Sequence, residues 1–164
     1  MTPRSFAFVL IAVLLLAVGS FAAACGGDDK ALSIEEYFER FEALVAQFEE
    51  DLGAANAEEE DLNVIQADLA NTVALLATFA GGVSDLEPPD EIKSQHEEVA
   101  EAQHAYADAL GDYSDQVSNL GSFEEFGTLV VAEELVAAVA RSGEACLVLE
   151  QLADDNDIEV DLNC

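Results

Sequence analysis

The sequence predicts an all-α protein: an antiparallel up-down-up-down four-helix bundle with a disulfide-stapled C-terminal tail. Three observations predict it. Apolar residues recur every three or four positions in four successive segments, and no stretch after Cys25 sustains the alternation of a strand. Short breaks rich in Gly, Pro or acidic residues separate the segments, which favours antiparallel neighbours. Cys146 and Cys164 stand near the end of the chain, where a bond between them would hold a segment that otherwise frays. A length of 164 residues fits one domain, and 51% apolar residues supply a core despite a net charge of −30.

The first segment carries Ile34, Tyr37, Phe38, Phe41, Leu44, Val45, Phe48 and Leu52 on one stripe. Ser33 is placed to cap it, and Glu35 and Glu36 suit the positive end of a helix. Gly53 and Asn56 mark its stop. The second segment runs from about Glu58 to Leu86, with Leu62, Ile65, Leu69, Leu76, Phe79, Val83 and Leu86 in an a/d spacing. Gly81-Gly82 inside it costs about 1 kcal/mol per glycine relative to alanine, so a kink or fraying is expected there. Glu58-Glu59-Glu60-Asp61 reads as a solvated helix start.

Pro88-Pro89 then breaks the chain, because proline cannot continue a preceding helix. Asp90 and Glu91 suit the first turn of a third helix, which aligns Ile92, His96, Val99, Tyr106, Leu110, Tyr113, Val117 and Leu120 and ends at Gly121-Ser122. The fourth is expected as one continuous helix from Ser122, which forms a capping-box pattern with Glu125. Its expected apolar face is Phe126, Leu129, Val130, Val136, Val139, Cys146, Leu147 and Leu149, and it fades at Asp154-Asp155-Asn156-Asp157. In the tail Ile158, Val160 and Leu162 alternate with Glu159, Asp161 and Asn163, which predicts an extended segment with one side laid on the bundle.

The N-terminus carries an address. Arg4 is the only charge before Asp28, and Phe6 to Val18 is an apolar run of signal-peptide length, broken by Gly19-Ser20. Ala22-Ala23-Ala24 precede Cys25, and Gly26-Gly27-Asp28-Asp29 follow it. Small residues directly before a cysteine at this point resemble the lipobox of bacterial lipoproteins, with Ala22 where that motif most often has Leu. The resemblance implies a signal peptide over residues 1–24, cleavage before Cys25, a diacylglycerol on the Cys25 thiol, and acylation of the freed amine, palmitate being one such chain. Residues 25–31 would be the lipidated cysteine and a flexible tether, and residues 32–164 the helical bundle domain. Two or more acyl chains hold a protein stably at a membrane where one does not. The expected location is the cell membrane, on its extracytoplasmic face. Two other readings of the same residues stay open. Ala22-Ala23-Ala24 fits an ordinary A-x-A cleavage site that releases a soluble protein with a free Cys25. The uncharged stretch from Ser5 to Gly27 is also long enough for an uncleaved membrane helix.

With Cys25 lipidated, Cys146 and Cys164 remain, and an exported compartment permits a disulfide. Such a loop gains on the order of 3 kcal/mol in a chain-entropy account. Neither cysteine lies in a C-x-x-C or near a histidine, the spacing that redox or metal chemistry requires.

The excess of 35 acidic over 5 basic residues repels phosphate backbones and argues against nucleic-acid partners. No G-x-S-x-G and no phosphate-cradling glycine loop occurs. Glu101-x-x-His104 sets two ligating side chains one helical turn apart, as in ferritin-like bundles, which need two such copies and two further Glu. Only one copy exists here, off the line through Val99 and Tyr106, so Glu101 and His104 read as surface residues and remain the candidate metal ligands. His96 lies on the core line; it is either a hydrogen-bonded interior histidine or a pH-sensitive, ligand-binding group. Imelysin-like exported helical proteins resemble this chain in class, but Val99 and Ala107 stand three residues after His96 and His104, so their G-x-H-x-x-E motif is missing and metal or haem uptake is not implied. Pro88-Pro89-Asp90-Glu91-Ile92 with His96, Cys146 and Leu162-Asn163-Cys164 is similar to lipoproteins of the actinobacterial type with a helical body. That resemblance implies a fold and a location, and no activity.

The expected function is a non-enzymatic binding or structural module at the cell envelope, without a cofactor. Its expected partners are the membrane, through the lipid on Cys25, and a cationic envelope component or divalent cations; a monomer is expected. An envelope divalent-cation-binding protein and a hydrolase with unrecognised residues are the alternatives.

Overall fold

The computed structural model describes residues 32–55, 61–162 and 164. The expected signal peptide, the lipidation site Cys25, the tether up to residue 31 and the acidic Glu58-Glu59-Glu60 lie outside the described residues. Among the described residues the protein is all helical, without a strand. Its helices are α1 (Ile34–Ala55), α2 (Leu62–Ser84), α3 (Lys93–Ser118), α4 (Phe123–Phe126) and α5 (Glu133–Asp155), with a single 3-10 turn at Asp90–Ile92. Ala31–Cys164 forms a compact unit with a core of its own.

α1 forms because its large apolar residues share one face and its start is doubly capped. The Glu36 N–H donates to Ser33 Oγ at 3.2 Å, and the Ser33 N–H donates to Glu36 Oε2 at 3.1 Å. Tyr37, Phe38, Phe41 and Val45 are buried, and Ile34, Leu44, Phe48 and Leu52 are half-buried. A fully buried side chain of this size stabilises by about 1.5–3 kcal/mol, so the stripe drives docking as well as helix formation.

α2 starts later than the sequence suggests. Asp61 caps it, accepting from the Asn63 N–H at 2.8 Å. The helix does not fray at Gly81-Gly82 but runs unbroken to Ser84. Gly82 lies where Leu44 of α1 crosses: a Cβ there would come within 2.9 Å of Leu44 Cδ2. The glycine serves a close approach, not a break. By length and composition alone α2 would also suit a membrane span. Its Leu76, Ala80 and Val83 are buried within the unit.

The two prolines end the connection as expected, with a 3-10 turn at Asp90–Ile92 leading into α3. All eight apolar-line residues of α3 and its approach, from Ile92 to Leu120, are buried or half-buried. Gln66 Nε2 of α2 donates to the Val117 carbonyl at 2.9 Å, an end carbonyl that also accepts from the Leu120 N–H at 3.1 Å, and so ties α2 to the end of α3.

The fourth predicted helix is two. Ser122 caps only α4, with the Glu125 N–H donating to Ser122 Oγ at 3.3 Å and the Gly121 N–H donating to Glu125 Oε2 at 2.7 Å. Helix then stops until Glu133. Thr128-Leu129-Val130-Val131 holds three β-branched residues, which lose side-chain freedom in a helix. The expected apolar face holds only in part: Phe126, Leu129 and Cys146 are half-buried, but Val130 is 81% and Val136 58% exposed, with Val139 and Leu147 exposed too. Leu149 is buried as expected, but Leu135, Ala138, Ser142, Ala145 and Ala153 complete the inward face. Small residues let α5 lie close to α3, where Ala102, Gln103 and Ala107 are buried.

α5 ends in a Schellman motif. The Ile158 N–H donates to the Ala153 carbonyl at 3.0 Å and the Asp157 N–H to the Asp154 carbonyl at 3.1 Å, with Asp157 in the left-handed region at φ 58°. The turn throws the tail back along the helix. Ile158, Val160 and Leu162 pack on the core while Glu159 and Asp161 are exposed, matching the alternation.

Candidate functional site

α1 packs on α2, α2 on α3 and α3 on α5, but α1 and α5 make no comparably broad contact. A cleft of about 330 Å³ fills that gap. Phe41 and Phe48 of α1 and Phe79 of α2 form one side, and Val139 and Gly143 of α5 the other. Cys146, Leu162 and Cys164 close one end. Small-molecule sites have this character: mostly apolar walls, a few placed polar groups, and volumes upward of about 300 Å³.

Four polar side chains line it: Glu49 of α1, which is exposed, Tyr106 of α3, which is half-buried, and the buried Gln103 of α3 and Ser142 of α5. Gln103 is 7% and Ser142 9% exposed, and both line the cleft. Among the described residues neither side chain makes a hydrogen bond. Neither is sealed away, since no fully buried side-chain oxygen or nitrogen lacks a partner. Their polar atoms therefore keep some accessibility, and both residues line the cleft. An accessible carboxamide and hydroxyl without a partner in the fold can each donate to and accept from a ligand with a hydrogen-bonding head.

Ring contacts connect this cleft to the second interior feature. Tyr37 and Phe41 centroids are 6.1 Å apart, Phe41 and Phe79 6.2 Å, and Phe79 and Phe48 5.2 Å. At the far end Tyr37 Oη and His96 Nδ1 are joined by a 3.1 Å hydrogen bond. Burial holds the His96 imidazole below its ordinary pKa, with Glu97 pulling weakly the other way. Burial drives the Tyr37 phenol well above its usual value. Both groups are therefore neutral at pH 7. His96 is an interior, hydrogen-bonded histidine and does not line the cleft.

Glu101 and His104 are exposed and turn to different partners. Glu101 Oε2 accepts from Arg141 of α5 at 2.9 Å, and His104 Nε2 is hydrogen-bonded to Ser84 Oγ at 2.9 Å. No group of three or more His, Cys, Asp or Glu side chains is poised around one point among the described residues. The Cys146 and Cys164 sulfurs stand at disulfide distance, 2.02 Å, with Cα atoms 5.6 Å apart. A wider groove of about 630 Å³ between α3 and α5 is lined by Asp108, Asp112, Glu134 and Arg141 over an alanine floor and lies open to solvent.

Sequence reasoning missed Gln103 and Ser142, yet a signal exists. The α3 line steps 92, 96, 99, 103, 106, 110, and the α5 line steps 135, 138, 142, 145, 149, so each is a polar residue in a core position. Compared with protein families, with curated proteins and with solved structures, the chain finds no match.

Proposed function

We propose that this chain is a lipid-anchored, extracytoplasmic binding module of the bacterial cell envelope, and that the cleft between α1 and α5 is its ligand site. In this reading the helical body is an up-down-up-down bundle left open between its first and last long helices. A Cys146–Cys164 staple holds the tail against the opening. The signal-peptide pattern and Cys25 support the anchor. The observation that carries the binding role is the apolar cleft with two interior polar side chains, Gln103 and Ser142, lacking partners in the fold. A carboxamide and a hydroxyl orient a ligand by hydrogen bonds and hold no proton to transfer at pH 7, which favours binding over catalysis.

Titration of the compact unit Ala31–Cys164 with Nile red, an uncharged solvatochromic dye, tests the site. One saturable site with a blue-shifted emission is expected. Val139→Trp, a change at an exposed position on the cleft wall, removes that site while helicity is retained. Unsaturable partitioning, or a site indifferent to Val139→Trp, would contradict the reading.

A further inference from the structure

The cleft also indicates what head group its ligand carries, an inference that rests on the binding role above. We infer that the ligand is an uncharged amphiphile: an aliphatic or ring body with a hydroxyl or amide head that pairs with Gln103 and Ser142. The body is specified by the walls, where Phe41, Phe48, Phe79 and Val139 offer apolar surface. The head is specified by the two interior side chains. A carboxamide and a hydroxyl each donate and accept, so they suit a group that does the same. They do not suit an ion, whose transfer from water into an apolar cleft is far costlier than that of a neutral hydroxyl.

Charge argues in the same direction. A chain with 35 acidic and 5 basic residues repels a carboxylate or phosphate head before contact. Glu49 is the one carboxylate side chain among the described lining residues, and it is exposed where Gln103 and Ser142 are buried. A cationic head therefore gains at the surface and loses on entry. A fatty acid, a phospholipid and an alkylammonium are excluded on these grounds, whereas an alcohol, a neutral acyl ester or a fatty amide fits.

The test compares 1-octanol, octanoate and octylammonium as competitors of Nile red on Ala31–Cys164 at moderate salt, with octane as the headless reference. 1-Octanol displaces the dye at one site, and the two ions do so at least about 10-fold more weakly, a difference of about 1.4 kcal/mol. Gln103→Leu, which fills a core position with an apolar residue, lowers the preference for octanol over octane about 5- to 10-fold, the size of one hydrogen bond. Ser142→Ala acts in the same direction and stands in if Gln103→Leu misfolds. Equal competition by octanoate or octylammonium would overturn the inference, as would an unchanged octanol preference in both variants. These results differ from failure of the binding role itself, in which the dye would find no saturable site in the unaltered protein.

Discussion

Tyr37 Oη and His96 Nδ1 lie 3.1 Å apart in the interior, their rings crossed at 80°, and so tie the first turns of α1 to the first turn of α3. Neither residue has another interior hydrogen-bond partner in the described structure. Tyr37→Phe leaves the imidazole nitrogen without its partner and should cost about 1–3 kcal/mol, measured by urea denaturation.

The same pair predicts a pH dependence. Burial lowers the His96 pKa in the folded state, so the unfolded chain binds the proton more readily. The stabilisation from neutral His96 is complete above its unfolded value, about 6.5, and is lost as pH falls through the folded value. Surface carboxylates also titrate on the acid side, so the comparison is with His96→Gln, in which they cancel. The stability advantage of the unaltered protein over His96→Gln should shrink from pH 7.5 to pH 5. A constant difference across that range would contradict a buried neutral imidazole.

Adjacent glycines on α2 should respond differently to an added side chain. A Cβ at Gly81 meets nothing within 4 Å, so Gly81→Ala should stabilise by about 1 kcal/mol through helix propensity. A Cβ at Gly82 meets Leu44 Cδ2 at 2.9 Å. Gly82→Ala should gain less than Gly81→Ala, because Leu44 must shift, and Gly82→Ile should destabilise by about 1–3 kcal/mol through overpacking. Thermal melts of the three variants check the order.

Cys146 and Cys164, separated by 18 positions in the sequence, close a loop that contains the buried Leu162. Cys164→Ser should cost on the order of 3 kcal/mol in a chain-entropy account. Because Leu162 and both cysteines line one end of the cleft, the substitution should also weaken Nile red binding. Loss of stability with dye affinity intact would separate the tail from the site.

Intact-mass analysis of the protein recovered from its native membrane should give the mass of residues 25–164 plus acyl chains, with the two remaining cysteines oxidised. The mass of residues 25–164 alone would leave the cleft in place but remove the anchor from the account.

What was legible in the sequence follows residue size. On α1 the inward face is built from Tyr37, Phe38, Phe41 and other bulky residues, so burial and bulk coincide and the stripe is readable. On α5 they diverge. Ala138, Ser142, Ala145 and Ala153 face inward because close packing against α3 needs small residues, and the larger Val136, Val139 and Leu147 are left outside. A reading weighted by bulk selects the wrong face there. Gly82 shows the same thing from the other side, since a residue with no side chain marks a contact that only the neighbouring helix defines. The cleft depends on a gap between helices remote in sequence, which periodicity within one helix does not report. Gln103 and Ser142 were readable in principle, as polar residues in otherwise apolar registers. The left-handed Asp157 had no such mark, because glycine usually takes that position.

The most direct test of the central claim is a two-dimensional NMR titration of Ala31–Cys164 with 1-octanol, following backbone amides and the Gln103 side-chain amide. Saturable shifts are expected at Gln103, Ser142, Val139, Phe48 and Phe79, with little change at the exposed Val130, Val136 and Val148. Shifts centred on those exposed valines, or none at Gln103, would contradict a ligand seated between α1 and α5.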